Sequence, residues 1–216
     1  MKSKKLLGIT AILEIVIIGL VVWFDIFIPT LVIIPIMTVM IFIRREKFSK
    51  IGFCKAVGIK MVLQIFSLAA LWTLVDIGVI LPILNHLTGT VQNMGIYKEL
   101  PGNPSLLLFL LAVSWTLAAL GEELAYRGLI QNRVRGLFSN DCLGTIIAVL
   151  VSSFLFGIAH REQGIIGVVV TGFDALFFSF LRYKYRNMWA SVLAHGFLNS
   201  IGIITFYFTG PIYGLW

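Results

Sequence analysis

The stretch Leu6–Ile43, LLGITAILEIVIIGLVVWFDIFIPTLVIIPIMTVMIFI, decides the fold class. It contains neither Lys nor Arg, and its only acids are Glu14 and Asp25. A transmembrane helix needs about 20 apolar residues, so the run is too long for one span and far too apolar for a soluble surface. Asp25, Pro29 and Pro35 divide it into a pair, roughly Leu6–Phe24 and Ile26–Ile43. Five further apolar runs follow: Met61–Leu84, Ser105–Tyr126, Leu143–Ala159, Gly164–Leu181 and Met188–Phe208. A polar stretch, Asn85–Pro104, separates the first two of these. The pattern predicts an all-α fold, a polytopic transmembrane bundle of seven spans in one membrane-embedded domain, 1–216. The apolar tail Phe206–Trp216, broken by Gly210 and Pro211, is the candidate for a short eighth.

Composition agrees. Of 216 residues, 59% are hydrophobic and 12% charged, with mean hydropathy +0.98. Soluble domains carry roughly 45–50% apolar and about 25% charged residues. A soluble globule, a disordered chain, a nucleic-acid-binding module and a soluble dinucleotide-binding enzyme are thereby excluded. Two cysteines, Cys54 and Cys142, make neither a disulfide framework nor a zinc motif.

The net charge of +7 reads as topology. Basic residues fall in four clumps: Lys2–Lys5; Arg44–Lys60; Arg127, Arg133 and Arg135; and Arg182, Lys184 and Arg186. Seven spans with a cytoplasmic amino terminus put all four on the inner side and only Lys98 and Arg161 outside. The first apolar run resembles a signal peptide, but no small-residue cleavage site follows it, so a retained helix is expected. Arg44–Lys60 is expected to lie along the inner membrane surface as a basic amphipathic stretch.

Ionisable groups inside a bilayer cost about 2.5–3.5 kcal/mol each on insertion scales, which makes them functional candidates. Three local patterns gather most of them. In Gly121-Glu122-Glu123-Leu124-Ala125-Tyr126-Arg127, Glu123 and Arg127 stand four apart with the acid first, the favourable order for a helical ion pair. Glu122 is turned about 100° away on an α-helix, free for chemistry. In Phe156-Gly157-Ile158-Ala159-His160, Phe and His share a helix face. In His195-Gly196-Phe197-Leu198-Asn199, His and Asn share another. Taken singly, these also fit a solvated helix end, a loop histidine and an interhelical polar clamp. Glu14, Asp76 and Asp174 read as structural, and Trp23, Trp72, Trp189 and Trp216 as interfacial or packing residues.

Together and in this order, the patterns resemble the CAAX protease and bacteriocin-processing family, also called the Abi family of intramembrane proteases. That family carries Glu-Glu-x-x-x-Arg, then Phe-x-x-x-His, then His-x-x-x-Asn or Asp. The resemblance covers about Ser105–Ile203, a motif-bearing core of residues 105–203. It implies a glutamate-type endopeptidase without a tightly bound metal or other cofactor. Glu122 and His160 would activate water, His195 and Asn199 would hold the oxyanion, and Glu123 and Arg127 would support the site. The implied partner is a membrane-associated or lipidated peptide or precursor. The chain's small size and lack of organelle signals fit a bacterial plasma membrane, where the family is associated with peptide maturation and bacteriocin immunity.

Peptide hydrolysis needs a base for water and donors for the oxyanion, and these residues supply both. Span counting, however, leaves Glu122 near the inner end of span four and His160 near the outer end of span five, and misplaced span edges are the expected reason. Three alternatives stand beside the protease: a non-catalytic scaffold or bacteriocin-immunity protein, a zinc protease built on Glu122, His160 and His195, and a transporter using Glu122 and Asp174 as a proton relay. No repeat between chain halves supports the transporter.

Overall fold

The computed structural model describes residues 4–47, 51–53 and 56–216. Lys2, Lys50, Cys54 and Lys55 lie outside the described residues, as does part of the expected surface stretch Arg44–Lys60. Seven helical segments are present among the described residues. They are α1 (Lys4–Trp23), α2 (Pro29–Arg44), α3 (Ile59–Thr88), α4 (Pro104–Arg135), α5 (Asp141–Ile158), α6 (Gly164–Tyr185) and α7 (Met188–Thr209). Helices α3 to α7 are long and apolar enough to cross a membrane, and α1 and α2 are shorter apolar helices.

Local sequence sets the boundaries. Asp25 and Phe27 take left-handed backbone between α1 and α2, and Pro29 opens α2 at a position where its missing N–H is harmless. Asn103, Asn140 and Asn187 cap α4, α5 and α7, accepting from the backbone N–H of Leu106, Leu143 and Trp189. The chain after Thr209 is not helical, so Phe206–Trp216 forms no eighth helix. It returns to α3, where Leu215 N–H donates to Ile77 C=O at 2.9 Å and Trp216 Nε1 donates to Gly78 C=O at 2.9 Å.

The packing follows the logic of a lipid solvent. Apolar side chains such as Ile12, Leu13, Phe42, Leu63, Leu108 and Phe154 are exposed on the outside. Glu14, Asp76, Glu123, Arg127, Gln131, Asp174, Arg182 and His195 are buried. One apolar core joins α1, α2, α4 and α5 through Ile18, Ile33, Met37, Tyr126 and Phe156. A second joins α3, α6 and α7 through Ile65, Phe178, Leu181 and Ala194. Two glycines let helices touch. A Cβ on Gly157 would lie 2.5 Å from the Val168 carbonyl oxygen of α6, and one on Gly196 would lie 2.5 Å from the Trp115 ring of α4.

Two expectations change, and the structural reading of Glu14 takes a specific form. First, α4 does not end at Tyr126 but runs on to Arg135, so Glu122 sits well inside the helix and not at its inner end. Basic residues after Tyr126 looked like the start of a loop, yet Arg127 and Arg133 are buried and paired. Second, Glu14 belongs to a buried cluster: it pairs with Arg44 and, at 2.6 Å, with Arg133, which also reaches Glu46 at 2.8 Å. Third, within the expected surface stretch, Ile51 and Gly52 pack against protein. Met188 N–H donates to Gly52 C=O at 3.0 Å, and Ile51 is buried.

Candidate active site

Within α4 the segment Ser114–Ile130 winds as a π-helix, with i→i+5 hydrogen bonding. A wider helix has more residues per turn, so consecutive side chains diverge by less than the 100° of an α-helix. Glu122 and Glu123 therefore both reach the same partner. Glu123 Oε1 lies 2.9 Å from His195 Nδ1, and Glu122 Oε2 lies 4.0 Å from His195 Nε2. The two acids face different surroundings, as expected, with Glu123 buried on Arg127 and Glu122 on the cavity wall, and His195 lies near both.

Glu123 and Arg127 form the ion pair that their spacing predicts, Oε1 to Nη1 at 2.9 Å, and neither has any exposed surface. The guanidinium lies over the Phe156 ring at 4.5 Å and near that of Phe178 at 5.3 Å. Phe156 also meets His160 at 4.6 Å, His195 at 5.9 Å and Tyr126 at 5.1 Å. It is the apolar hub on which the charged groups are seated. Phe178 completes the cradle, its ring stacked on His195 at 4.7 Å.

These contacts fix tautomers. His195 Nδ1 faces a carboxylate and so carries its proton there, which leaves Nε2 as the working nitrogen. His160 Nδ1 lies 2.8 Å from the Phe156 carbonyl oxygen and must donate to it, so its Nε2 is likewise left for other partners.

Glu122, His160, His195 and Asn199 all line one cavity of about 690 Å³. Two hydrogen bonds of about 2.8 Å meeting at 90–110° span roughly 4.0–4.6 Å. The 4.0 Å between Glu122 Oε2 and His195 Nε2 falls within that range. The charged and polar residues after His160 have partners. Asn93 N–H donates to Gln163 C=O at 2.9 Å, Asn93 Nδ2 to Glu162 C=O at 3.0 Å, and Gln92 Nε2 to Gln163 Oε1 at 2.7 Å. Arg161 Nη1 donates to Val22 C=O at 2.8 Å. The polar stretch after α3 is thereby tied to the chain after His160, and Tyr97 also lines the cavity. Burial pushes the Tyr97 phenol above its ordinary value, and the carboxylates of Glu162 and Glu122 push it further, so it remains an O–H donor.

Sequence reading alone misses two sets of residues here. Asp76 and Asp174, read as structural, line the same cavity. Arg182, counted with a basic clump, is buried and binds the Arg127 carbonyl, Gln131 Oε1 at 2.9 Å and Asn132 Oδ1 at 3.2 Å. Gln131 in turn donates to Ser152 and Ser179 at 2.8 and 2.7 Å. This network pins α4 to α5 and α6 directly below the ion pair. An Arg three residues before a helix end gives no signal of burial in the sequence. Among the described residues, no three His, Cys, Asp or Glu side chains are grouped to hold a metal ion.

The arrangement defines a helical membrane protein with a carboxylate–histidine site in an internal cavity. A family model, Rce1-like, type II CAAX prenyl endopeptidase Rce1-like, matches residues 104–201, and this motif-bearing part of the chain is similar to that family. The match takes in α4 to most of α7 and every residue of the three motifs. No curated protein and no solved structure matches the chain.

Proposed function

We propose that the chain is an intramembrane endopeptidase that hydrolyses a peptide bond of a membrane-associated or lipidated peptide or precursor. The observation that carries this reading is the convergence of Glu122, His160, His195 and Asn199 on one cavity wall. Four polar side chains from three segments are each expensive in lipid, and a shared hydrated reaction site offsets all of them.

In this reading Glu122, with His160, takes a proton from the bound water as it attacks the scissile carbonyl. The new oxyanion receives hydrogen bonds from His195 Nε2–H, in the imidazolium form backed by Glu123, and from Asn199. The proton then passes from Glu122 or His160 to the leaving amine, so the products are a carboxylic acid and an amine, and the acid then gives up its proton to solvent. Arg127 keeps Glu123 ionised and in place. The mechanism uses no metal. All seven helices cross the membrane with the amino terminus in the cytoplasm of a bacterial cell, and residues 105–203 form the catalytic core of a single unit, 1–216.

The test uses full-length protein in phosphatidylcholine proteoliposomes with a library of N-palmitoylated peptides, products being read by mass spectrometry. Glu122→Gln and His160→Ala should abolish cleavage and leave the protein folded by gel filtration and thermal melt. Cleavage that survives Glu122→Gln refutes the base assignment. Loss on adding a chelator, restored by zinc, refutes the metal-free mechanism. A wild-type protein that cleaves nothing favours the scaffold or immunity reading.

A further inference from the structure

The non-helical segment Gly210–Trp216 crosses from the end of α7 to α3, and the hydrolytic reading does not use it. Gly210 and Ile212 line the same cavity as Glu122 and His160. Phe206 of α7 and Ile77 of α3, at the two ends of the crossing, line it as well. The segment is thus the piece of cavity wall that joins these two helices.

Its anchorage is specific and slight. An N–H at position 82 would serve Gly78 C=O in α-helical register, and Ile77 C=O in the wider π register that α3 adopts over Asp76–Ile80. Pro82 has no N–H, and the segment supplies donors to both carbonyls. Leu215 N–H reaches Ile77 C=O and Trp216 Nε1 reaches Gly78 C=O, each at 2.9 Å. Asn85 Nδ2 donates to Tyr213 C=O. Gly214, with φ at +137°, sits so close to Pro82 that a Cβ there would lie 2.9 Å from the ring. Little else is buried, since Leu215 and Trp216 are 64% and 72% exposed. Few buried contacts and exposed hydrogen bonds mark a segment that opens locally, without global unfolding. Gly210, with φ at +74°, and Gly214 bracket Pro211–Tyr213 with backbone that side-chain-bearing residues rarely adopt. A Cβ on Gly210 would touch nothing within 4 Å, so that end turns freely.

Resting on the protease reading above, we infer that Gly210–Trp216 is a strap that closes the catalytic cavity between α3 and α7 and swings away from Pro82 to admit a membrane-borne peptide substrate. Ile77 and Gly78 carbonyls hold it shut, and the two glycines are its hinges.

Full-length protein in phosphatidylcholine nanodiscs tests this in two ways. The first needs no catalysis. Thr171 lines the cavity from α6, and Cys142 on α5 is exposed. In Cys54→Ser/Thr171→Cys protein, pyrene maleimide should label position 171 about 5-fold faster when Gly214→Ala or Trp216→Phe is added, the scale of one net hydrogen bond. Labelling of Cys142 should not change, which excludes general loosening. The second locks the strap. Gly78→Cys and Leu215→Cys, in Cys54→Ser/Cys142→Ser protein, are joined by a short bifunctional methanethiosulfonate, since a Cβ on Gly78 would lie 3.7 Å from Leu215 Cδ1. The lock should lower kcat/KM for an N-palmitoylated peptide by about 10-fold or more, because the open state is removed, and reductant should restore it. Labelling at position 171 that ignores both release variants, or a lock that leaves kcat/KM unchanged or raised, overturns the strap alone. Faster labelling in protein that cleaves no peptide overturns the protease reading alone.

Discussion

Replacing Arg127 by Met retains most of the stem and removes the guanidinium. Glu123, with no exposed surface, then keeps His195 at 2.9 Å as its remaining charged partner. Breaking a buried ion pair from one side costs about 3–5 kcal/mol, because the orphaned charge stays buried. The guanidinium also lies 4.5 Å from Phe156, a desolvated cation–π contact that contributes about 2 kcal/mol. The two terms overlap, so the expected loss is about 3–5 kcal/mol and not their sum. For a chain of this size each kcal/mol moves the melting temperature by about 2–4 °C, giving a fall of roughly 6–20 °C. Thermal melts of detergent-solubilised protein, followed by gel filtration of the remaining folded fraction, read this directly. The control is Glu123→Gln combined with Arg127→Met, which removes both charges and should recover more than half of the loss. An unchanged melting temperature in the single variant, or a double variant as unstable as the single, refutes the pairing argument.

Gly196→Ala places a Cβ 2.5 Å from the Trp115 ring. Overpacking of this kind costs about 1–3 kcal/mol, and adding Trp115→Leu should restore the melting temperature. If Gly196→Ala alone melts like wild type, the close contact of α4 and α7 is refuted. Asn199→Ala removes one oxyanion donor and should lower kcat by about 10²–10³, with KM little changed and with less effect than Glu122→Gln. A cysteine introduced at Lys184 should be labelled in intact cells only by a membrane-permeant maleimide, and labelling by an impermeant reagent would reverse the proposed topology.

Several features were legible in the residues themselves. Unbroken apolar runs have few physical alternatives to helices in lipid, because every backbone group must be satisfied internally. Asp25 and Pro29 divide the first long run where the structure divides it. The spacing of Glu123 and Arg127 survives in the structure because four residues bring side chains to one face in both α- and wider helices. The three motifs could be recognised as polar groups in the wrong solvent, and the family match spans all of them.

Other features depended on contacts between segments. Polar residues that close a span in the sequence, such as Arg127 and Arg133, lie inside the protein because Glu123 and Glu14 neutralise them. Charge counting treats every Lys and Arg as solvated and cannot tell these apart. The widened turn of α4 sets which way Glu122 points, and it turns both acids onto His195. Asp76 and Asp174 stand 98 positions apart in the sequence and meet only because α3 and α6 pack across the cavity. Hydropathy and local spacing report each residue's own preference for lipid or water. Which buried charges share a partner is a property of pairs, and only the packing of the helices decides it.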